Sequence, residues 1–416
     1  MPPLSHEAYV WQRVWNQPVC QSVIEHGSNF SSLVVLAAEV TWKDGQPQAD
    51  LVPLDYAALA AAKCGVGLVL RIGPCRGPFS TNDQASSFLS SLAFSLVAES
   101  VTAHLSPREL QIDFDCAESQ LDGYRLWVEA VRQRLAPLPV TITALPAWLN
   151  QPAFARLIAA SDGYVLQVHS LKRPTAIDAS FTICDPAAAL RAVESASRFD
   201  VPFRVALPSY GYLIAFDSQG RFFGLSAEGQ SKSWPEGVQL REVRSDPLQL
   251  IGLVRTLSSI INLPSAKSKS PIQGVLWYRL PNSADIFNWR WPTLRAMMQM
   301  RSPKESLRAE PRRVEAGLVD INLVNDGELD ISSRLAIEVR WSREGGARLV
   351  AGDDLRGFEL VDAGPSTARF ITKQQSFRLP AGERQVIGWL RLNADREVQL
   401  EIIKSIESVR SVESVK

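Results

Sequence analysis

From the N-terminus to about residue 280 the chain repeats one pattern. A short apolar run rich in β-branched residues is followed by a longer stretch with hydrophobic positions every three to four residues. The apolar runs fall at Ala8–Trp15, Ser32–Val40, Val66–Ile72, Glu109–Phe114, Val140–Ala144, Gly163–Val168, Phe203–Ala206 and Gly274–Tyr278. Several are almost unbroken, as strands covered on both faces should be. Between them the spacing predicts helices over Pro53–Lys63, Gln84–Ala98, Gly123–Leu135, Gln151–Ala160, Pro186–Arg198 and Pro247–Ile261. Tyr124, Trp127, Val128, Val131 and Leu135 share one stripe of the third. Asp185-Pro186 and Asp246-Pro247 pair an N-cap with a proline at the first turn. Eight strands alternating with helices predict an α/β fold, a (β/α)8 TIM-type barrel. A doubly wound open sheet is the alternative, but no Gly-rich phosphate loop follows any strand.

The pattern changes after Met300. Arg301–Arg313 is charged and carries Pro303 and Pro311, a linker composition. From Val314 to Ile402 apolar and polar positions alternate between turn signals such as Asn325-Asp326-Gly327 and Pro380-Ala381-Gly382, which predicts a small all-β sandwich. The expected layout is a barrel over 1–305 with an insertion at 212–244, a sandwich over 306–404, and a weakly ordered tail at 405–416. That tail repeats one hexamer, Ser405-Ile-Glu-Ser-Val-Arg then Ser411-Val-Glu-Ser-Val-Lys.

Composition narrows the function more than it defines it. Lys plus Arg and Asp plus Glu are 44 each, so no basic excess favours nucleic acid or an anionic membrane. No apolar run approaches the roughly 18 residues of a membrane span. Met1 to Glu7 carries no signal-peptide pattern, so the cytoplasm is the default expectation, with export open if a leader is missing. Five scattered cysteines without a CxxC pair indicate neither a disulfide framework nor a zinc site. No cofactor is expected. No metal is expected either, and Asp113, Asp115 and Glu39 are the set a cation would use.

In this fold, chemistry sits at the C-terminal ends of the strands. The richest strand end is Leu110-Gln-Ile-Asp-Phe-Asp-Cys-Ala-Glu118. Asp113 and Asp115 are two residues apart on a strand, so both face the barrel interior with Cα atoms about 7 Å apart. Paired carboxylates push one pKa up, which suits a general acid near neutrality. The structural alternative makes Asp115 a cap and Asp113 half of an ion pair. Other strand ends offer Glu39, Arg71, Gln167, His169, Trp277 and Tyr278, with Trp11 and Arg13 at the end of the first run. Arg13 and Arg71 would orient the aspartates or form structural ion pairs. Trp277 or Tyr278 would stack on a sugar ring or fill the core.

Two resemblances follow from these residues. Tyr9-Val-Trp-Gln-Arg-Val-Trp15, Ile112-Asp-Phe-Asp-Cys116, Thr143-Ala-Leu-Pro-Ala-Trp148, Leu166-Gln-Val-His169 and Gly388-Trp-Leu-Arg391 resemble the bacterial family catalogued as domain of unknown function 3142, DUF3142. More distantly, the barrel is similar to chitinase-type (family 18) glycoside hydrolases. Leu207-Pro-Ser-Tyr-Gly211 resembles that family's Pro-Phe-Tyr-Gly turn, and Gly274-Val-Leu-Trp-Tyr278 its last strand, whose Trp forms the sugar floor. Of the family pattern Asp-x-x-Asp-x-Asp-x-Glu, Asp113 and Asp115 take the second and third acidic positions. Leu110 and Ala117 replace the first and the Glu, and Glu118 comes one residue late. The resemblance implies a glycoside-hydrolase-like enzyme acting on a polysaccharide or glycan. Asp115 or Glu118 would be its general acid, Asp113 would tune that acid, and Tyr210 would position substrate. The alternative is a glycan-binding protein with a degenerate barrel site.

Overall fold

The structure is a computed structural model that describes residues 4–77, 79–80, 83–227, 233–262, 270–373 and 377–404. The repeated tail at 405–416 lies outside the described residues, as does part of the 212–244 insertion. The chain divides into two compact units between Trp289 and Arg290.

In chain order the first unit contains β1 (His6–Val10), α1 (Gln17–His26), β2 (Ser32–Lys43), β3 (Gln46–Leu51), α2 (Tyr56–Ala61), β4 (Gly65–Ile72), α3 (Gln84–Thr102), β5 (Glu109–Phe114) and α4 (Leu121–Leu135). It continues with β6 (Val140–Ala144), α5 (Pro152–Ala159), β7 (Tyr164–Gln167), α6 (Pro186–Ala196), β8 (Phe203–Pro208), β9 (Gly211–Phe216), β10 (Phe222–Ser226), β11 (Gln239–Arg244), α7 (Pro247–Asn262) and β12 (Ile272–Tyr278). Eight parallel strands run β1-β12-β8-β7-β6-β5-β4-β2, and β2 pairs back onto β1, closing a (β/α)8 barrel. The short β3 pairs antiparallel with the long outer half of β2.

Local chemistry explains the helices. Asp55, Asp83 and Asp185 each accept a backbone N–H at a helix start, and Pro186 occupies the first turn behind Asp185. The stripe of α4 is buried at Tyr124, Trp127, Val128, Val131 and Leu135, against the barrel wall. Among the described residues, α3 alone has the length and hydropathy of a membrane-crossing helix. It packs beside α4 and buries Leu89, Ala93 and Leu96.

The first strand differs from its expected span. The pairing of β1 stops at Val10, and the Trp11–Trp15 segment leaves the sheet as a loop. Asn16 then caps α1 through a bond to the Val19 N–H, with a proline in its first turn. The first expected run thus joined the strand and the loop that follows it.

Inside the barrel, side chains stack in layers. At the strand starts, Arg204 bonds to Glu7 and forks Glu109, and Thr141 donates to Glu109 at 2.7 Å. Gly67 makes room for this layer, because a Cβ there would lie 2.9 Å from the Glu109 side chain. Above it lie Tyr9, Val34, Leu36, Val69, Val165, Ala206 and Leu276. The strand ends then open upward.

The second unit holds α8 (Trp291–Met298), β13 (Leu307–Glu315), β14 (Leu318–Asn325), β15 (Leu335–Trp341), β16 (Leu349–Asp354), β17 (Phe358–Ala363), β18 (Thr367–Thr372), β19 (Arg384–Leu392) and β20 (Val398–Lys404). Two four-stranded antiparallel sheets, β13-β14-β19-β16 and β17-β18-β15-β20, enclose one apolar core around Ile321, Leu323, Ile337, Val339, Phe358, Phe370 and Leu390. The charged segment expected to be a linker partly joins this fold. Residues from Leu307 onward form the edge strand β13, where Pro311 is tolerated because it sits on an edge.

Candidate active site

The strand ends surround a cavity of about 640 Å³. One wall comes from the barrel rim and the other from the insertion. There β10-β9-β11 form a small antiparallel sheet that buries Tyr212, Ile214 and Phe216 against Ile183 and Phe181 of the loop after β7. Within the insertion β9 and β10 form a hairpin, and Tyr212, Ile214, Leu225, Ser226 and Ala227 face the cavity from it.

The charged side of the cavity is a cross-strand row. Glu39, Arg71 and Asp113 are direct partners on β2, β4 and β5. Arg71 lies 3.7 Å from the Glu39 carboxylate and 3.9 Å from that of Asp113, and Arg13 forks Glu39 at 2.5 and 2.9 Å. Asp113 is buried and accepts a hydrogen bond from Thr143 at 2.7 Å. Burial raises its pKa, and Glu39 adds to the rise, while Arg71 and the Thr143 hydroxyl oppose it.

Asp115 stands one residue beyond β5 on the same face. Its side chain keeps open surface, yet it lines the cavity and has protein around it. Desolvation by the protein around it, then the Asp113 charge, pushes its carboxyl up to about 6 against the pull of Arg71. Among the described residues it accepts no hydrogen bond and joins no ion pair. Of the carboxyls that line the cavity among the described residues, it is the one without a hydrogen-bond or ion-pair partner.

The opposite side is aromatic. Tyr278 packs against Tyr9, Trp11, Tyr210 and His169, with ring centroids 5.1–5.6 Å apart. Tyr210 hydroxyl meets the Tyr212 hydroxyl at 2.8 Å and His169 Nδ1 at 3.3 Å, and Tyr212 reaches Ser170 at 2.6 Å. Burial lowers the His169 pKa to about 3, so the ring is neutral in ordinary buffers. Trp11 is buried, and its indole N–H has no partner among the described residues. Gln167 completes the floor and donates to the His169 carbonyl at 3.2 Å.

Most of the residues singled out by sequence therefore meet here: Trp11, Arg13, Arg71, Asp113, Asp115, Gln167, His169, Tyr210 and Tyr278 all line the cavity, and Glu39 ties its arginines together. Two do not. Trp277 projects from the other face of β12, fully buried, with its indole N–H donating to His6 at 3.2 Å. Strand alternation decides this, because Leu276 and Tyr278 take the inward positions. Glu118 opens the short turn after β5, exposed and bonded to Gln151, away from the cavity. Among the described residues no group of three His, Cys, Asp or Glu could hold a metal ion.

Sequence reasoning passed over Thr143, Tyr212, Ser170, Lys172 and Arg173. Thr143 was findable as the inward residue beside Asp113. The others sit on loops or in the insertion, where no periodicity marks a face.

Residues 75–283 match the family described as Domain of unknown function (DUF3142). The chain belongs to that family. The DUF3142 span carries Asp113, Asp115, Gln167, His169, Tyr210 and Tyr278, while Trp11, Arg13, Glu39 and Arg71 precede it. No curated protein sequence matches the chain. Among solved structures it is similar to the spore cortex-lytic enzyme SleL of Bacillus cereus, at 13% identity over 72% of this chain and 74% of that one, with a TM-score of 0.49. It is also similar to a chitinase from Chromobacterium violaceum (13%, 67% and 95%, 0.45) and to the chitinase RmChi1 from Rhizomucor miehei (15%, 71% and 100%, 0.45).

Proposed function

We propose that the barrel mouth binds a glycan and cleaves a glycosidic bond, with Asp115 as the proton donor. The observation that carries this reading is the state of Asp115: unpartnered, reachable from the cavity, and held near pKa 6 by its surroundings and by Asp113. A carboxyl of that kind is still partly protonated near neutrality and can donate to a leaving glycosidic oxygen. Asp113 keeps the donor's pKa high and supplies negative charge below the anomeric carbon as positive charge develops. Tyr278 and Trp11 offer apolar ring faces for a sugar, and the Tyr210 and Tyr212 hydroxyls offer hydrogen bonds to its edge.

A second reading, glycan binding without cleavage, is favoured by a different observation. Asp113 is the other carboxylate lining the cavity, and it is tied to Thr143 and Arg71. Among the described residues no third carboxylate lines the cavity to serve as a separate nucleophile or base. Hydrolysis of a panel of polysaccharides and chromogenic glycosides by the wild type and by Asp115→Asn separates the two. The catalytic reading expects wild-type turnover that falls about 100-fold or more in the variant while affinity is kept. Turnover that survives Asp115→Asn unchanged overturns the assignment. Glycan binding with no turnover on any member supports the second reading.

A further inference from the structure

The cavity carries more positive charge than its carboxylates use. Among the described residues, Arg13, Arg71, Lys172 and Arg173 line it, against Asp113 and Asp115. Two of the four cations are already engaged. Arg13 forks Glu39, and Arg71 lies between Glu39 and Asp113. Lys172 and Arg173, on the loop after β7, have no carboxylate or carbonyl partner among the described residues. The whole chain has equal numbers of acidic and basic residues, so this excess is local rather than a by-product of a basic protein.

The loop that presents them is fixed. At its start the Ser170 N–H donates to the Ile183 carbonyl at 2.7 Å, and the Ser170 hydroxyl meets that of Tyr212. Pro174, directly after the cations, is buried. Farther on, Ile177 N–H bonds to the Gly220 carbonyl, and Arg241 of β11 holds the carbonyls of Ile177 and Ala179. The Arg173 guanidinium lies 5.7 Å from the centre of the Phe222 ring, which steadies its plane and leaves its N–H fork unspent. A positioned guanidinium with a neighbouring ammonium is what a carboxylate or sulfate group needs, and a neutral sugar offers no counter-charge to it.

We infer that Lys172 and Arg173 form a subsite for a negatively charged sugar, so that the glycan taken by this mouth is an acidic one, bearing a carboxylate or a sulfate ester. This inference rests on the glycan reading above and deepens it. The test is binding of the full chain to an array of matched neutral, uronate-bearing and sulfated glycans at several salt concentrations. It compares the wild type with Lys172→Gln/Arg173→Gln, whose folding is checked by its melting temperature. Both side chains are exposed and neither joins an ion pair among the described residues, so the double variant should melt close to the wild type.

The expected result is a wild-type preference for acidic over neutral members that weakens with salt. The double variant should lose about tenfold of that preference, the scale of one or two charge-assisted hydrogen bonds. Preference for the uronate or the sulfated set identifies the group. Wild-type binding to neutral members alone, or an equal loss on neutral and acidic members in the variant, overturns the subsite and leaves the glycan reading standing. Binding to no member of the array overturns both.

Discussion

Both ends of the barrel hold an arginine between carboxylates, and both clusters are built on β5. At the strand start, Arg204 contacts Glu7 and forks Glu109, all three side chains are largely buried, and Thr141 takes a further lone pair. At the strand end, four residues along the same face, Arg71 reaches Asp113 only at 3.9 Å while also serving Glu39, and Asp115 has no hydrogen-bond or ion-pair partner among the described residues. The lower cluster is geometrically complete and closed. Burial alone would lower the Arg204 pKa, but Glu109 and Glu7 outweigh it and raise it. Glu7 is itself raised, because burial and the Glu109 charge outweigh its share of Arg204. One guanidinium faces two carboxylates there, which reconciles the two directions. The upper cluster is incomplete in a way that leaves one carboxyl titrating near neutrality. Charge satisfied by protein reads as structure, and charge left open at a cavity reads as chemistry.

The largest effect that would break this comparison is on stability. Arg204→Ala leaves two buried carboxylates uncompensated and should cost about 3–5 kcal/mol in urea unfolding. Arg71→Ala, at a partly exposed and longer-range pair, should cost under about 1 kcal/mol. Equal costs would mean that the two ends are built alike.

A smaller effect separates the two faces of β12. Tyr278→Ala should weaken glycan binding by about 0.5–1.5 kcal/mol beyond the lost area, read by calorimetry, because its ring is at the cavity. Trp277→Phe should leave that affinity alone, since the indole faces His6 and Trp289. A loss of binding in Trp277→Phe would put the wrong face toward the sugar.

The smallest effect is a pH-dependent one. Asp115 binds its proton more tightly in the folded state, with a pKa raised from 3.8 to about 6. Its ionisation therefore costs stability as pH rises through that window, and the cost is complete above about 6. Asp115→Asn should melt higher than the wild type at pH 7–8, and the gain should vanish below pH 4. A gain that is constant across pH would remove ionisation as its cause.

Much of this arrangement was legible in the sequence, for identifiable reasons. The barrel showed because strands covered on both faces must be continuously apolar, and the aspartate pair because a spacing of two keeps one face. The same continuity hid the face of β12. In Gly274-Val-Leu-Trp-Tyr278 every side chain is apolar or small, so nothing in the run says whether Trp277 or Tyr278 points inward. Trp11 and Arg13 were placed on a strand that ends at Val10, because a loop rich in tryptophan and valine mimics one. Glu118 was one residue from a motif position, and one residue past a strand end is enough to turn a side chain out of the mouth. Lys172 and Arg173 carry no pattern at all, since only the loop's attachment to β9–β11 brings them to the cavity.

The central claim is that Asp115 holds a proton near neutrality because desolvation raises its pKa and the Asp113 charge beneath it raises it further. The most direct measurement is a carbon-detected NMR titration of the Asp115 carboxyl in the wild type and in Asp113→Asn. The expected result is a midpoint near 6 that falls toward the ordinary aspartate range when the Asp113 charge is removed. A midpoint near 4 in the wild type, or one that Asp113→Asn leaves where it was, would contradict it.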